Sequence, residues 1–138
     1  MTSVPTAQPP QPSASRVLVV DDEESIRDLC ARVLSRAGYS VSTAPNGEDA
    51  VALLTREAFA LVISDIRMPG ISGLEVLERA KATHPAIRVV LITGFGTPQM
   101  LTRAQQSGAD RILTKPFNPM ELLAAVREIL PSGNAEPR

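Results

Sequence analysis

The stretch RVLVVDDEES, residues 16–25, passes from four branched apolar side chains directly into four carboxylates. Val17, Leu18, Val19 and Val20 form an unbroken apolar run, the pattern of a strand buried on both faces. Asp21, Asp22, Glu23 and Glu24 then crowd like charges at its end, and such crowding is unfavourable unless a cation or water screens it. Either these acids cap a following helix or they hold a cation.

At 138 residues the chain fits one domain with one sizeable core. Fourteen Lys and Arg against fifteen Asp and Glu leave a net charge of −1, and the basic residues are scattered, so no nucleic-acid footprint is present for this chain alone. The single cysteine, Cys30, falls among apolar positions of a helical pattern and reads as a small packing group. No segment resembles a membrane span, and MTSVPTAQPPQPSASR lacks the charged start and apolar run of a secretion signal, so a cytoplasmic location is expected. Residues 1–15, rich in Pro, Ser, Thr and Gln, read as a disordered tail, and 131–138 as a second flexible tail, leaving a body over 16–130.

Outward from the opening strand, apolar positions switch between two periods. Ile26, Leu29, Cys30, Val33, Leu34 and Ala37 recur at helical spacing and stop at Gly38. Tyr39 to Thr43 alternates as a short strand; Asn46 caps a helix to about Arg56 carrying Val51 and Leu54, and ALVIS at 60–64 is a third apolar run ending at Asp65. Ser72 caps a helix with Leu74, Leu77 and Ala80; RVVLIT ends at Thr93, and a more polar helix follows from about Thr97 to Ser107 with Met100, Leu101 and Ala104. RILT leads into Lys115, and Asn118 caps a last helix with Leu122, Leu123, Val126, Ile129 and Leu130. Strand and helix thus alternate five times, which predicts a doubly wound α/β domain with a parallel sheet. Ligands of such sheets bind beyond the carboxyl ends of the strands.

Four of the five strands end in chemically pointed residues. Convergence there would bring Asp21, Asp22 and Asp65 together, three carboxylates that need a cation. Oxygen ligands without a His or Cys cluster suit Mg²⁺, which takes few carboxylates plus a phosphate. Lys115 then offers a point charge and Thr93 a hydroxyl to phosphoryl oxygens. Asp65, alone at the end of the middle strand and followed by a loop whose carbonyl can complete a metal shell, is the expected nucleophile, forming an aspartyl phosphate. Gly94 leaves room for the phosphoryl group.

VLVVDDEES, LVISDIRMPGISGLE, LITGFG and LTKPF, in this order and at these separations, resemble the receiver domain of two-component response regulators over residues 16–130. The resemblance implies a flavodoxin-like fold with five helices and strand order 2-1-3-4-5. It implies phosphoryl transfer to Asp65 from a histidine kinase or histidine phosphotransfer protein, and Mg²⁺ held by Asp22, Asp65 and the carbonyl of Arg67, with Asp21 acting mainly through water. A cis bond between Lys115 and Pro116 is also implied. The face of the fourth helix, last strand and last helix would meet a downstream protein target, and a phosphorylation-dependent dimer fits the family. The chain departs from the family in having Ile112 where an aromatic ring often moves with the threonine. Arg67 and Phe95 flank the expected phosphoryl pocket, with Phe95 expected to screen the phosphoryl group while Arg67 offers a competing charge, which together prolong its life.

Blander readings compete for single residues. Asp21 and Asp22 could serve only as helix caps, Thr93 as a strand end and Lys115 as a solvated charge. GFGTPQ lacks the third glycine of a dinucleotide fingerprint. His84 reads as an exposed loop residue, and Met68 and Met100 as packing or turn residues. A docking module that keeps the fold without phosphorylation, and a small Mg²⁺-dependent phosphatase, are the rival functions; no second acid is placed to activate water for the latter.

Overall fold

The computed structural model describes residues 15–94 and 96–130; Phe95 and, save for Ser15, both expected tails lie outside the described residues. The elements run β1 (Arg16–Val20), α1 (Glu24–Arg36), β2 (Ser40–Ala44), α2 (Gly47–Arg56), β3 (Leu61–Asp65), α3 (Gly73–Thr83), β4 (Arg88–Thr93), α4 (Pro98–Gln106), β5 (Arg111–Thr114) and α5 (Pro119–Ile129). All neighbouring strands pair in parallel, in the order β2-β1-β3-β4-β5 that the motifs implied.

Continuous apolar runs make sense in this sheet because both faces are covered and side chains alternate between them. Val17, Val19, Leu61, Ile63, Val90 and Ile92 pack with Cys30 and Leu34 of α1 and Leu122 and Val126 of α5. Leu18, Val20, Val62, Val89 and Leu91 face the opposite layer, with Ala50 and Leu54 of α2, Val76 and Leu77 of α3 and Ala104 of α4. Each fully buried leucine or isoleucine contributes roughly 1.5–3 kcal/mol of transfer free energy.

Local chemistry sets the helix ends. Asn46, Ser72 and Thr97 accept from the amides of Asp49, Glu75 and Met100 at 2.7, 3.3 and 3.1 Å. Asn118 and Glu121 close a reciprocal capping box, both bonds 2.8 Å. At the far end of α1, Gly38 takes φ +101°, its amide donates to Ser35 and that of Tyr39 donates to Leu34, the paired bonds of a glycine C-cap. That cap uses the Tyr39 amide, so β2 begins at Ser40 and not at Tyr39 as the alternation predicts. Gly108 repeats the arrangement after α4. Leu29 and Val51, expected on apolar faces, are only half-buried.

Candidate functional site

Strand register decides which side chains can meet. Val20 pairs with Ser64, Asp65 with Ile92, and Thr93 with Thr114, so the carboxyl ends of β1, β3, β4 and β5 finish nearly level. Counting by two, Asp21 continues the row of Val17 and Val19, Asp65 that of Leu61 and Ile63, and Lys115 that of Leu113. All three therefore emerge on the α1/α5 side. Thr93 has the opposite parity and follows Val89 and Leu91.

The Lys115 ammonium lies 3.0 Å from Asp65 Oδ2, 3.3 Å from Asp21 Oδ2 and 2.8 Å from Glu23 Oε1. Asp21 is fully buried and Asp65 is 5% exposed. One oxygen of Asp21 accepts from the Glu23 amide at 2.9 Å, while the other, Oδ2, receives no hydrogen bond and has only the ammonium as ionic partner. Burial, then the charge of Asp65, pushes the Asp21 carboxyl above its usual range against the pull of the Glu23 amide and Lys115. Burial alone would lower the Lys115 pKa, but hydrogen bonds to Glu23 and Asp65 and the charges of Asp21 and Asp65 outweigh it and hold the ammonium charged above the ordinary lysine range.

Asp21, Asp22 and Asp65 each place one carboxylate oxygen within a common 4.8 Å, with Asp22 exposed. The two readings of the opening acids separate here. Glu23 is the N-cap of α1 and makes no side-chain cap bond; Asp21 gives one oxygen to the Glu23 amide, and its other, buried oxygen is left with a single cation for company. Hard oxygen donors, an orphaned Oδ2 and an excess of negative charge fit a divalent cation such as Mg²⁺.

The Arg67 amide donates to Asp65 Oδ1 at 3.3 Å, which holds the start of the β3–α3 loop against the acid. Gly73 fixes that loop's return: its amide donates to Ile66 at 2.9 Å, and a Cβ on it would lie 2.2 Å from the Asp65 carbonyl oxygen. Thr93 is buried at the end of β4, and its carbonyl accepts from the Lys115 amide at 2.8 Å. The Lys115–Pro116 bond is cis. Gly94 stands beside the Lys115 stem. The screening role expected of Phe95 falls on a residue outside the described ones.

Two partners were missed in the sequence. Glu23 reaches Lys115 across 92 positions, and Arg27 donates to the Asp21 carbonyl at 2.7 Å from within α1. Their signal was present, since Glu23 belongs to the acidic quartet and Arg27 lies one turn further, but neither spacing says where the side chain points. His84 corrects an expectation: it is half-buried at the end of α3, with Nε2 3.2 Å from the Leu54 carbonyl. Cys30 is buried as expected; burial, aided by the Asp21 charge, pushes its thiol up to about 12. Ile112 is half-buried against the α2–α4 layer.

A family model of the response regulator receiver domain matches residues 17–127. The chain is 36% identical over 116 residues to sporulation initiation phosphotransferase F of Bacillus subtilis, covering 84% of this chain and 94% of the relative. Three other curated relatives are longer, and the chain spans 49% of one and 24% of each of the other two. Among solved structures, a CheY-like receiver domain protein from Methanospirillum hungatei superposes with TM-score 0.82 at 33% identity, covering 84% of this chain and 93% of that one. A response regulator from Burkholderia pseudomallei, solved with a phosphorylated aspartic acid, a calcium ion and citrate, superposes with TM-score 0.75 at 33% identity over 80% of this chain and 65% of that one.

Proposed function

The chain belongs to the response regulator receiver domain family of two-component signalling, and from that premise we propose that Asp65 is its phosphoryl acceptor, with Lys115, Thr93 and the acids Asp21 and Asp22 completing the site. The observation that carries this assignment is the 3.0 Å approach of the Lys115 ammonium to Asp65 Oδ2 beside an orphaned, buried oxygen of Asp21.

An Asp65 carboxylate oxygen attacks the phosphorus of a phosphohistidine on a histidine kinase or phosphotransfer protein. A P–O bond forms, the P–N bond breaks with its electron pair on the imidazole nitrogen, and that nitrogen takes a proton from solvent. Phosphoryl transfer asks the protein mainly for positioning and charge. Lys115 already lies within reach of an oxygen on Asp65 and would bind one phosphoryl oxygen; the Thr93 hydroxyl would bind another. Asp21, Asp22, Asp65 and the Arg67 carbonyl are the groups that would hold Mg²⁺, which would supply charge to the remaining phosphoryl oxygens. Exchange of the Lys115–Asp65 pair for a phosphoryl contact changes the carboxyl edge of β4 and β5, the source of an altered partner surface.

The face of α4, β5 and α5 is the proposed output surface. It carries Met120, 73% exposed and the exposed large apolar residue among the described ones. The same face would serve a phosphorylation-dependent dimer. No helix among the described residues is long and apolar enough to cross a membrane, and a cytoplasmic location suits a kinase-fed receiver.

Incubation with acetyl phosphate and Mg²⁺, followed by intact mass, tests the assignment. A stable gain of one phosphoryl group in the wild type and none in Asp65→Asn is expected. No gain in either would return the chain to a docking module, and turnover without accumulation would mark a phosphatase.

A further inference from the structure

We propose that Glu23 is a positioning residue that engages the Lys115 ammonium in the unphosphorylated protein in competition with the phosphoryl group, and that the arriving phosphoryl group must displace it. The inference rests on Asp65 being the acceptor. An ammonium has three donors and no acceptor, and here three carboxylates surround it: Glu23 at 2.8 Å, Asp65 at 3.0 Å and Asp21 at 3.3 Å. The arriving phosphoryl group takes over the Asp65 contact and adds negative charge at an ammonium that Glu23 and Asp21 still approach, so one of these two carboxylates gives way.

Burial decides which one. Asp21 Oδ2 has no hydrogen-bond donor to fall back on, and Asp65 itself carries the new group. The Glu23 side chain is 58% exposed, so water solvates its carboxylate on release. Left in place, it would set a carboxylate against an anionic phosphoryl group sharing the same lysine, which is repulsive. The Glu23 backbone is fixed, with its amide donating to Asp21 at 2.9 Å and its carbonyl accepting from Ile26 and Arg27 at 3.1 Å each. Displacement is therefore a side-chain rotation. Glu23 also lines a cleft of about 360 Å³ with Ile26, Gly94, Lys115, Pro116 and Phe117, which gives the rotating carboxylate a solvent-connected path.

Glu23→Gln keeps the shape and removes the charge. Titration of the full chain with beryllofluoride in the presence of Mg²⁺, followed by NMR, reads occupancy of the phosphoryl position without turnover. The variant is expected to bind about threefold to tenfold tighter than wild type, an advantage that shrinks as salt screens the removed charge. The Lys115 side-chain nitrogen resonance of the free variant should shift, which a residue serving only to start α1 would not cause. Wild-type binding with equal or weaker binding by Glu23→Gln overturns this inference and leaves Asp65 as acceptor. Failure of the wild type to bind, or binding by Asp65→Asn, overturns both.

Discussion

Asp65 Oδ2 and Lys115 Nζ, fifty positions apart in the chain, meet at 3.0 Å within an otherwise acidic site. Lys115 is the cation that makes three neighbouring carboxylates tolerable, and it would compete with any metal for them. Lys115→Met should lower metal-free stability by ~2 kcal/mol, since removing one member of a largely buried pair strands its partners. It should also tighten Mg²⁺ binding several-fold while cutting phosphoryl uptake by at least about tenfold. Denaturant titrations with and without Mg²⁺, and intact mass after acetyl phosphate, read the three effects separately.

Asp21 is expected to behave in the opposite sense. Its Oδ2 is buried without a hydrogen bond and its carboxyl is pushed up by burial, so ionisation opposes folding. Asp21→Asn should raise metal-free stability by ~1 kcal/mol and remove most of the rise in Tm that Mg²⁺ gives the wild type. A lower metal-free Tm in the variant would show that the contact with Lys115 outweighs desolvation.

The glycines separate steric need from vacancy. A Cβ on Gly73 would lie 2.2 Å from the Asp65 carbonyl oxygen and 2.8 Å from Ile66 Cα, backbone atoms that cannot rotate away. Gly73→Ala should cost at least ~2 kcal/mol. A Cβ on Gly94 would rest 3.7 Å from Lys115 Cβ, ordinary contact, and Gly94→Ala should stay within ~0.5 kcal/mol of wild type. Urea unfolding of the two variants side by side decides it.

Tyr39 links stability to alkaline pH. Its hydroxyl donates to the Leu130 carbonyl, and burial raises its pKa above the usual 10.0 against the pull of Arg127. Between 10.0 and the raised value the folded chain keeps a proton that the unfolded chain has lost. This contribution is therefore intact below 10.0 and declines as pH rises beyond it. Tyr39→Phe should be less stable than wild type by ~1 kcal/mol near neutrality, and the gap should close in thermal melts taken upward from about pH 10.

Much of the fold was legible along the chain because its signals are local. Unbroken apolar runs marked β1, β3 and β4, helical spacing marked α1 and α5, and Asn46, Ser72 and Asn118 announced three helix starts through side chains that reach only three residues ahead. The end of each strand was read to within a residue, so Asp65, Thr93 and Lys115 were named as site candidates. The β2 start was displaced because a glycine cap took the Tyr39 amide, and His84 was misplaced because its partner, the Leu54 carbonyl, lies 30 positions away.

By itself, then, the sequence determined the alternation of elements and the residue types standing at their ends, since hydrogen bonding and apolar spacing act over a few residues. Only the tertiary structure decided that Lys115 meets Glu23, Asp21 and Asp65 together, and that one Asp21 oxygen is left without a donor. Those facts depend on parallel register, on the side of the sheet from which each side chain emerges, and on burial. All three are set by contacts between segments that lie from about twenty to more than ninety positions apart in the chain.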